Sequence, residues 1–321
     1  MRIIFIGTAD FAVPILQGVH GSGHEVAGVV TQPDRPAGRH RLLRPGPVRR
    51  AAIDLGMTPL QPPRIGADST LHTLRALDAE VFLVAAYGQI LPRTVLDVPR
   101  LGCYNVHASL LPALRGAAPV NWAILRGLDR TGVTIIRMEP GVDAGDIAAQ
   151  RATQIGPRET AGELAKRLSE LAAQLVLETL PLIGAGRVQF VKQDPRRASL
   201  APKLTKADGA IDWSQAALAL DAFVRGVSPW PGAFTALQRA AAPEEPLRLV
   251  VHRARPAEGS GEPGTVIGLD QGALLVAAGQ GAVALEVVQP AGKRQMSAAD
   301  FVNGYRIAAG DRFLAPAEGA P

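Results

Sequence analysis

The sequence predicts an α/β domain built on a mainly parallel sheet, followed by a second, smaller all-β domain. Three observations predict it. Over the front of the chain, short β-branched apolar runs alternate with helix-like stretches, the pattern of a parallel sheet covered by helices on both faces. From about Ala207 the texture changes to short strand-like pieces separated by Gly, Pro and Asp turns, as in a small barrel or sandwich. The length of 321 residues also exceeds what one core usually serves at roughly 150 residues per domain.

Taken in order, residues 2–6 form an apolar run ending in Gly7, and 10–19 carry a helical pattern with Pro14 near the start, where its missing N–H does little harm. Further strand-like runs fall at 25–31, 80–86, 102–107 and 131–138, with helix-like stretches at 47–55, 69–77 and 119–126 between them. Residues 160–183 are long and amphipathic and should close this layer as a helix. The polar, basic stretch 195–208 reads as a linker, and the later strand-like pieces lie at 247–254, 264–269, 272–277 and 281–288. The expected division is a catalytic domain over 1–189, a basic linker over 190–207 and a C-terminal barrel over 208–321.

Hydrophobic residues make up 47% of the chain and charged residues 20%, ordinary globular usage that excludes wholesale disorder. The longest apolar stretches are strand-sized, far short of the roughly 20 residues a membrane helix needs. The N-terminus turns polar by Thr8 and lacks the pattern of a signal peptide, so a cytoplasmic protein is expected, with no membrane partner. Cys103 is the lone cysteine and the six histidines show no zinc-type spacing, so neither a disulfide nor a metal is expected.

Net charge is +5, but residues 1–206 carry +8 and the remainder −3. Residues 34–50 hold six arginines, Arg35, Arg39, Arg41, Arg44, Arg49 and Arg50, against one aspartate; residues 192–206 hold five basic residues, Lys203 and Lys206 among them. Such runs are solvated faces or phosphate contacts. The Pro/Gly-rich setting of the first run, without a hydrophobic period, leaves its arginines free to reach a partner.

The turn after Gly7 lacks the G-x-G-x-x-G spacing because positions 9 and 12 are alanines, which disfavours a nucleotide cofactor and a nicotinamide oxidoreductase. More informative is Gly102-Cys-Tyr-Asn-Val-His-Ala-Ser-Leu-Leu-Pro, where a strand pattern runs into a loop. Asn105 and His107 are two apart in an extended segment and share a face. Asn offers an amide donor to a developing oxyanion, and His donates to the same atom or moves a proton. A third member has a candidate in Asp143 of Gly141-Val-Asp-Ala-Gly-Asp. An aspartate in a Gly-rich turn also serves simply to cap backbone N–H groups, and spacing does not choose between the two.

These segments, with Arg115-Gly-Ala-Ala-Pro between them and Ile4-Phe-Ile-Gly, Thr31-Gln-Pro-Asp-Arg-Pro, Val84-Ala-Ala-Tyr-Gly, Asp212-Trp-Ser and Pro229-Trp-Pro-Gly elsewhere, resemble the 10-formyltetrahydrofolate-dependent formyltransferases over nearly the whole chain. The resemblance implies a Rossmann-like N-terminal domain and a C-terminal OB-like β-barrel. It implies transfer of a formyl group from 10-formyltetrahydrofolate, without a metal, to the α-amine of methionine on initiator tRNA, the protein acting as a monomer. Asn105, His107 and Asp143 match the family's catalytic positions, with Asn105 and His107 as donors to the developing oxyanion and Asp143 orienting His107 and helping to take the amine's proton. Ser109, Leu110, Leu111 and Pro112 match its folate-binding motif. Arg35, Arg39, Arg41, Arg44, Lys203 and Lys206 are the expected tRNA contacts. Two departures stand out: Ala144 replaces the family's usual threonine, and His40, Arg41 and Leu42 stand where relatives often carry consecutive lysines. Readings that compete are the same chemistry on a small amine, an amino sugar or glycinamide ribonucleotide, and a tRNA-binding protein without catalysis.

Overall fold

A computed structural model describes residues 1–37 and 42–314, except for the side chains of residues 35–37, 42 and 43. The chain forms two compact units. The first comprises Met1–Pro119, Arg130–Gln154 and Leu164–Pro202; the second comprises Val120–Asp129, Ile155–Glu163 and the chain from Lys203 on.

The first unit contains β1 (Arg2–Gly7), α1 (Val13–His20), β2 (Glu25–Val30), the short pair β3 (Arg35–Ala37) and β4 (Leu42–Arg44), α2 (Pro47–Asp54), α3 (Asp68–Ala76), β5 (Val81–Ala85), α4 (Arg93–Leu96) and β6 (Cys103–His107). Strands β7 (Arg130–Arg137) and β8 (Ile147–Gln154) and most of α6 (Ala161–Gly184) follow, while α5 (Pro119–Leu125), between β6 and β7, belongs almost wholly to the second unit. Six strands form one sheet in the order β2-β1-β5-β6-β7-β8. The pairs β1–β2, β1–β5 and β5–β6 are parallel, as the apolar β-branched runs predict.

Strand β7 departs from that pattern: it runs antiparallel to β6, and β8 runs antiparallel to β7. A strand buried on both faces reads as the same apolar run in either direction, so composition does not reveal its polarity. Strand β8, IAAQRATQ, went unforeseen because it is half-buried and carries several polar residues. The basic stretch read as a loop contains the hairpin β3–β4, in which Arg35 pairs with Arg44.

Strand alternation sends Ile4 and Ile6 to one face of the sheet, where they pack with Leu71 and Leu74 of α3 and Val95 of α4. Ile3 and Phe5, fully buried, occupy the other face. Helix α1 lies against α6, with Gly18 facing Ala173 and Leu177. The start of α6 is set by a reciprocal capping box. The Thr160 backbone N–H donates to Glu163 Oε2 at 2.9 Å, and the Glu163 N–H donates to Thr160 Oγ1 at 3.3 Å.

The second unit contains α7 (Ala217–Gly226), β9 (Ala233–Arg239), β10 (Ala242–Ala257), β11 (Val266–Asp270), β12 (Ala273–Ala277), β13 (Ala282–Pro290), β14 (Met296–Ser297), α8 (Ala298–Tyr305) and β15 (Arg312–Leu314). Its antiparallel sheet runs β11-β12-β13-β10-β9-β15, with β14 beside β13. The ends of that order meet. Val266 N–H donates to the Asp311 carbonyl at 2.8 Å and Phe313 N–H to the Gly264 carbonyl at 2.7 Å, so the curled sheet closes into a barrel and leaves no open edge there.

Trp213, Leu237, Leu249, Leu285, Phe301 and Phe313 fill its core. The helices α7 and α8 were not foreseen within the strand-rich texture. Strand β10 extends well beyond the expected 247–254, with register shifts between Val251 and Ala254 where it bends.

Candidate active site

Asn105 and His107 stand two residues apart on β6 and point the same way, as a pleated strand requires. Because β7 is antiparallel, the loop after it begins beside the amino end of β6, where Met138 N–H donates to the Cys103 carbonyl at 2.8 Å. That loop then returns over the strand and brings Asp143 to the pair.

Both carboxylate oxygens are engaged. Asn105 Nδ2 donates to Asp143 Oδ1 at 3.1 Å, the Gly116 backbone N–H donates to Oδ2 at 2.9 Å, and His107 Nδ1 lies 3.5 Å from Oδ2. Nε2 of His107 is 2.9 Å from the Leu114 carbonyl, which only accepts, so Nε2 carries a proton. The His107 side chain is 6% exposed and that of Asp143 13%, so the cluster is largely withdrawn from solvent.

Local backbone geometry makes this possible. Asp143 adopts φ 50°, a left-handed conformation that aspartate tolerates better than most residues. Gly116 has φ +119°, and a Cβ there would lie 2.7 Å from the Ala201 carbonyl oxygen, so only glycine aims this N–H at the carboxylate. A Cβ at Gly145 would fall 1.8 Å from the Arg137 carbonyl oxygen, which lets the Asp143 loop lie directly on the end of β7.

The loop after His107 is tied to β7. Thr134 Oγ1 donates to the Ser109 carbonyl at 2.6 Å and accepts from Leu111 N–H at 3.1 Å, while Gln150 Nε2 donates to the Leu111 carbonyl at 2.9 Å. Ser109 is fully buried and its hydroxyl donates to the Ala113 carbonyl at 2.6 Å; Leu111 is also buried. Leu110 covers Gly132 of β7, and Pro112 is half-buried.

Sequence reasoning missed several supports: Thr134, Gln150, the Gly116 N–H, Gln193 and Ser199. Gln193 Nε2 donates to the Asp143 carbonyl at 2.8 Å and to the Gly145 carbonyl at 2.7 Å, and Ser199 Oγ accepts from Leu114 N–H at 2.9 Å. Gln193 and Ser199 lie far from the site in sequence, and no local pattern announces that any of these groups would meet it.

Of the basic residues, Arg44, Lys203 and Lys206 are exposed. Arg39 and Arg41 lie outside the described residues, as does the side chain of Arg35. Before the hairpin, Asp34 accepts from Arg49 and from Gln61 Nε2, the latter at 3.0 Å.

Chemically, the cluster joins an amide donor, an imidazole and a carboxylate, which suits proton movement beside a developing oxyanion. The nearby thiol and hydroxyl are not poised as nucleophiles. Burial pushes the Cys103 thiol up to about 12, and the Ser109 hydroxyl is spent within its own turn. The arrangement therefore fits direct transfer between two bound substrates rather than an acyl-enzyme.

The formyl transferase family model matches residues 1–180, and the formyl transferase C-terminal domain model matches residues 203–306. The methionyl-tRNA formyltransferase of Solibacter usitatus is 46% identical over 307 residues, covering 96% of each chain. That of Bacillus subtilis is 41% identical over 311 residues, covering 97% of this chain and 96% of its own. Among solved structures, the sugar 3N-formyltransferase WlaRD aligns with a TM-score of 0.65 at 16% identity over 92% of this chain and 99% of its own. HypX from Aquifex aeolicus, solved with tetrahydrofolic acid, aligns with a TM-score of 0.63 at 18% identity over 95% of this chain and 47% of its own. At these identities the solved structures speak to the fold alone.

Proposed function

The chain belongs to the formyl transferase family, and from that premise we propose that it transfers a formyl group from 10-formyltetrahydrofolate to the α-amine of methionyl initiator tRNA, giving N-formylmethionyl-tRNA for translation initiation. One observation carries this reading: proteins bearing the name methionyl-tRNA formyltransferase match the chain at 41–46% identity over 96–97% of its length, through both units. Catalysis is assigned to residues 1–189, and Lys203, Lys206 and the barrel that follows them help hold tRNA.

The residues present fit the donor. 10-formyltetrahydrofolate carries the formyl group on N10, from which the amine takes it directly without a covalent enzyme intermediate. Ser109–Pro112, stitched to β7 through Thr134 and to β8 through Gln150, would form part of the folate wall. Asn105 spends one of its two amide N–H bonds on Asp143 and keeps the other for the oxygen that gains charge. His107 acts on the same oxygen once its Nε2–H, which rests on the Leu114 carbonyl at 2.9 Å, turns from that carbonyl to the bound substrate. The attacking amine must be neutral and must lose a proton; Asp143, through its oxygen beside His107 Nδ1, receives it, and a proton passes to N10 as the bond from the formyl carbon to N10 breaks and tetrahydrofolate leaves. Arg35, Arg39, Arg41 and Arg44 contact the acceptor end of the tRNA, while Lys203 and Lys206 contact its backbone.

The test is a formyl-transfer assay with 10-formyltetrahydrofolate, run in parallel with methionyl initiator tRNA and with a small amine such as an amino sugar nucleotide. The expected result is transfer to tRNA with a KM that climbs steeply with ionic strength, as neutralisation of phosphates demands. Transfer to the small amine alone, or tRNA retention without folate-dependent turnover, would overturn the assignment.

A further inference from the structure

The segment 190–202, expected as part of a linker, belongs to the first unit and docks there twice. Near its start, Ile147 N–H donates to the Val191 carbonyl at 2.8 Å and Val191 N–H donates back at 2.9 Å. Further on, Arg115 N–H donates to the Ser199 carbonyl at 2.8 Å and Ala201 N–H to the Arg115 carbonyl at 2.7 Å. Gln193 lies between these anchors, half-buried, and every polar atom of its side chain is used. Nε2 donates to the carbonyls of Asp143 (2.8 Å) and Gly145 (2.7 Å), and Oε1 accepts from Arg115 Nε (3.2 Å) and a terminal Arg115 nitrogen (2.7 Å).

One carboxamide therefore bridges the two loops that meet at the site. It grips the backbone on both sides of Ala144, where Asp143 sits at φ 50°, and it holds Arg115, the residue before the Gly116 N–H that binds the Asp143 carboxylate. An aspartate in this left-handed conformation on an otherwise Gly-rich turn keeps its place only if the surroundings over-determine it. Gln193 makes no hydrogen bond to Asn105, His107 or the Asp143 carboxylate itself, so any effect it has on chemistry passes through the loop.

We propose that Gln193 is a positioning residue for formyl transfer: by clamping the carbonyls of Asp143 and Gly145 against Arg115, it sets where the Asp143 carboxylate stands relative to Asn105 and His107. The proposal rests on the reading of Asp143 as part of the catalytic machinery. It also makes the segment leading to Lys203 and Lys206 a working part of the site and not only a tether.

The test uses two variants of the full chain, assayed with 10-formyltetrahydrofolate and methionyl initiator tRNA. Gln193→Leu keeps the volume and deletes all four hydrogen bonds. Gln193→Glu keeps the acceptor toward Arg115 but turns an oxygen toward two carbonyls. Both should lower kcat about 100-fold, the scale of an ångström-size misplacement of a reacting group, with both KM values within about threefold of wild type. Thermal midpoints should stay within a few degrees. A Gln193→Glu variant with normal kcat would mean that only the Arg115 contact matters and would overturn the clamp; so would a rise in KM at constant kcat, or a large fall in thermal midpoint at constant kcat. If Gln193→Leu proves insoluble, Gln193→Glu decides alone. Asp143→Asn run alongside separates the two levels: normal turnover there sinks the reading of Asp143, whereas a crippled Asp143→Asn beside a normal Gln193→Leu sinks only the positioning role.

Discussion

Asp143→Asn is the sharpest perturbation of the site, because it keeps the shape and removes the charge. The carboxylate accepts at both oxygens, from Asn105 Nδ2 at 3.1 Å and Gly116 N–H at 2.9 Å, with His107 Nδ1 at 3.5 Å. An asparagine has one acceptor oxygen, so its NH2 group must face one of these donors. The least costly solution keeps the oxygen on Gly116 and flips the Asn105 amide, so that Asn105 accepts from residue 143 instead of donating. Two charge-assisted hydrogen bonds become neutral ones, a loss of about 1–2 kcal/mol in all. For a unit of this size that is a fall in Tm of roughly 2–8 °C.

The effect on rate is larger. In the proposed mechanism the flip re-aims the Asn105 donor, worth about 10²–10³, and removes the acceptor for the amine's proton, worth about 10²–10⁴. Turnover should therefore fall at least about a hundredfold, or about 2.7 kcal/mol of barrier, with most molecules still folded at the assay temperature. Steady-state formylation of methionyl-tRNA at saturating donor, with thermal unfolding followed on the same preparation, measures both quantities. Turnover within threefold of wild type would refute the catalytic reading. A Tm drop of more than about 15 °C, with activity tracking the folded fraction, would make Asp143 a turn-capping residue instead.

Three further outcomes are expected. Leu111→Ala should cost about 2–5 kcal/mol of stability, because Leu111 is buried, and should raise KM for the formyl donor more than KM for tRNA; equal rises would mean that the segment is no dedicated folate wall. Replacing Arg39, Arg41 and Arg44 by alanine should weaken tRNA use, leave donor KM unchanged and flatten the slope of log(kcat/KM) against log[salt] by roughly 0.7–0.9 per lost phosphate contact; coincident slopes would return these arginines to a solvated face. Cys103, whose thiol burial pushes up to about 12, should resist alkylation at pH 8 in the native protein and react on unfolding. The same shift has a sign: the folded state holds the thiol proton more tightly, so this contribution to stability is complete below an unfolded thiol pKa of about 8.5 and is lost as pH rises toward 12. Urea midpoints that do not move between pH 8 and 11 would contradict it.

Much of the fold was legible locally. The apolar runs became β1, β2, β5, β6 and β7, the amphipathic stretch ending at Ile183 became α6 behind its Thr160/Glu163 box, and the two-residue spacing of Asn105 and His107 placed both on one face of a strand. Such features depend on the pleat of a strand, the turn of a helix and the donors left over at a helix start, all contained within a few neighbouring residues. The direction of β7 was not among them, nor were β8, α7 and α8, since burial and partner are properties of the assembled layer and not of a segment.

The division is the same at the site. Local sequence placed Asn105, His107 and a Gly-flanked aspartate on the chain, but tertiary structure alone joined Gly116 to Asp143 across 27 residues, Gln193 to the same loop across 50, and Ser199 to Leu114 across 85. A buried polar group must find a partner somewhere, and which one it finds depends on the loops that packing brings within about 3 Å. Glutamine, serine and a backbone N–H carry no periodicity that would announce that meeting in advance.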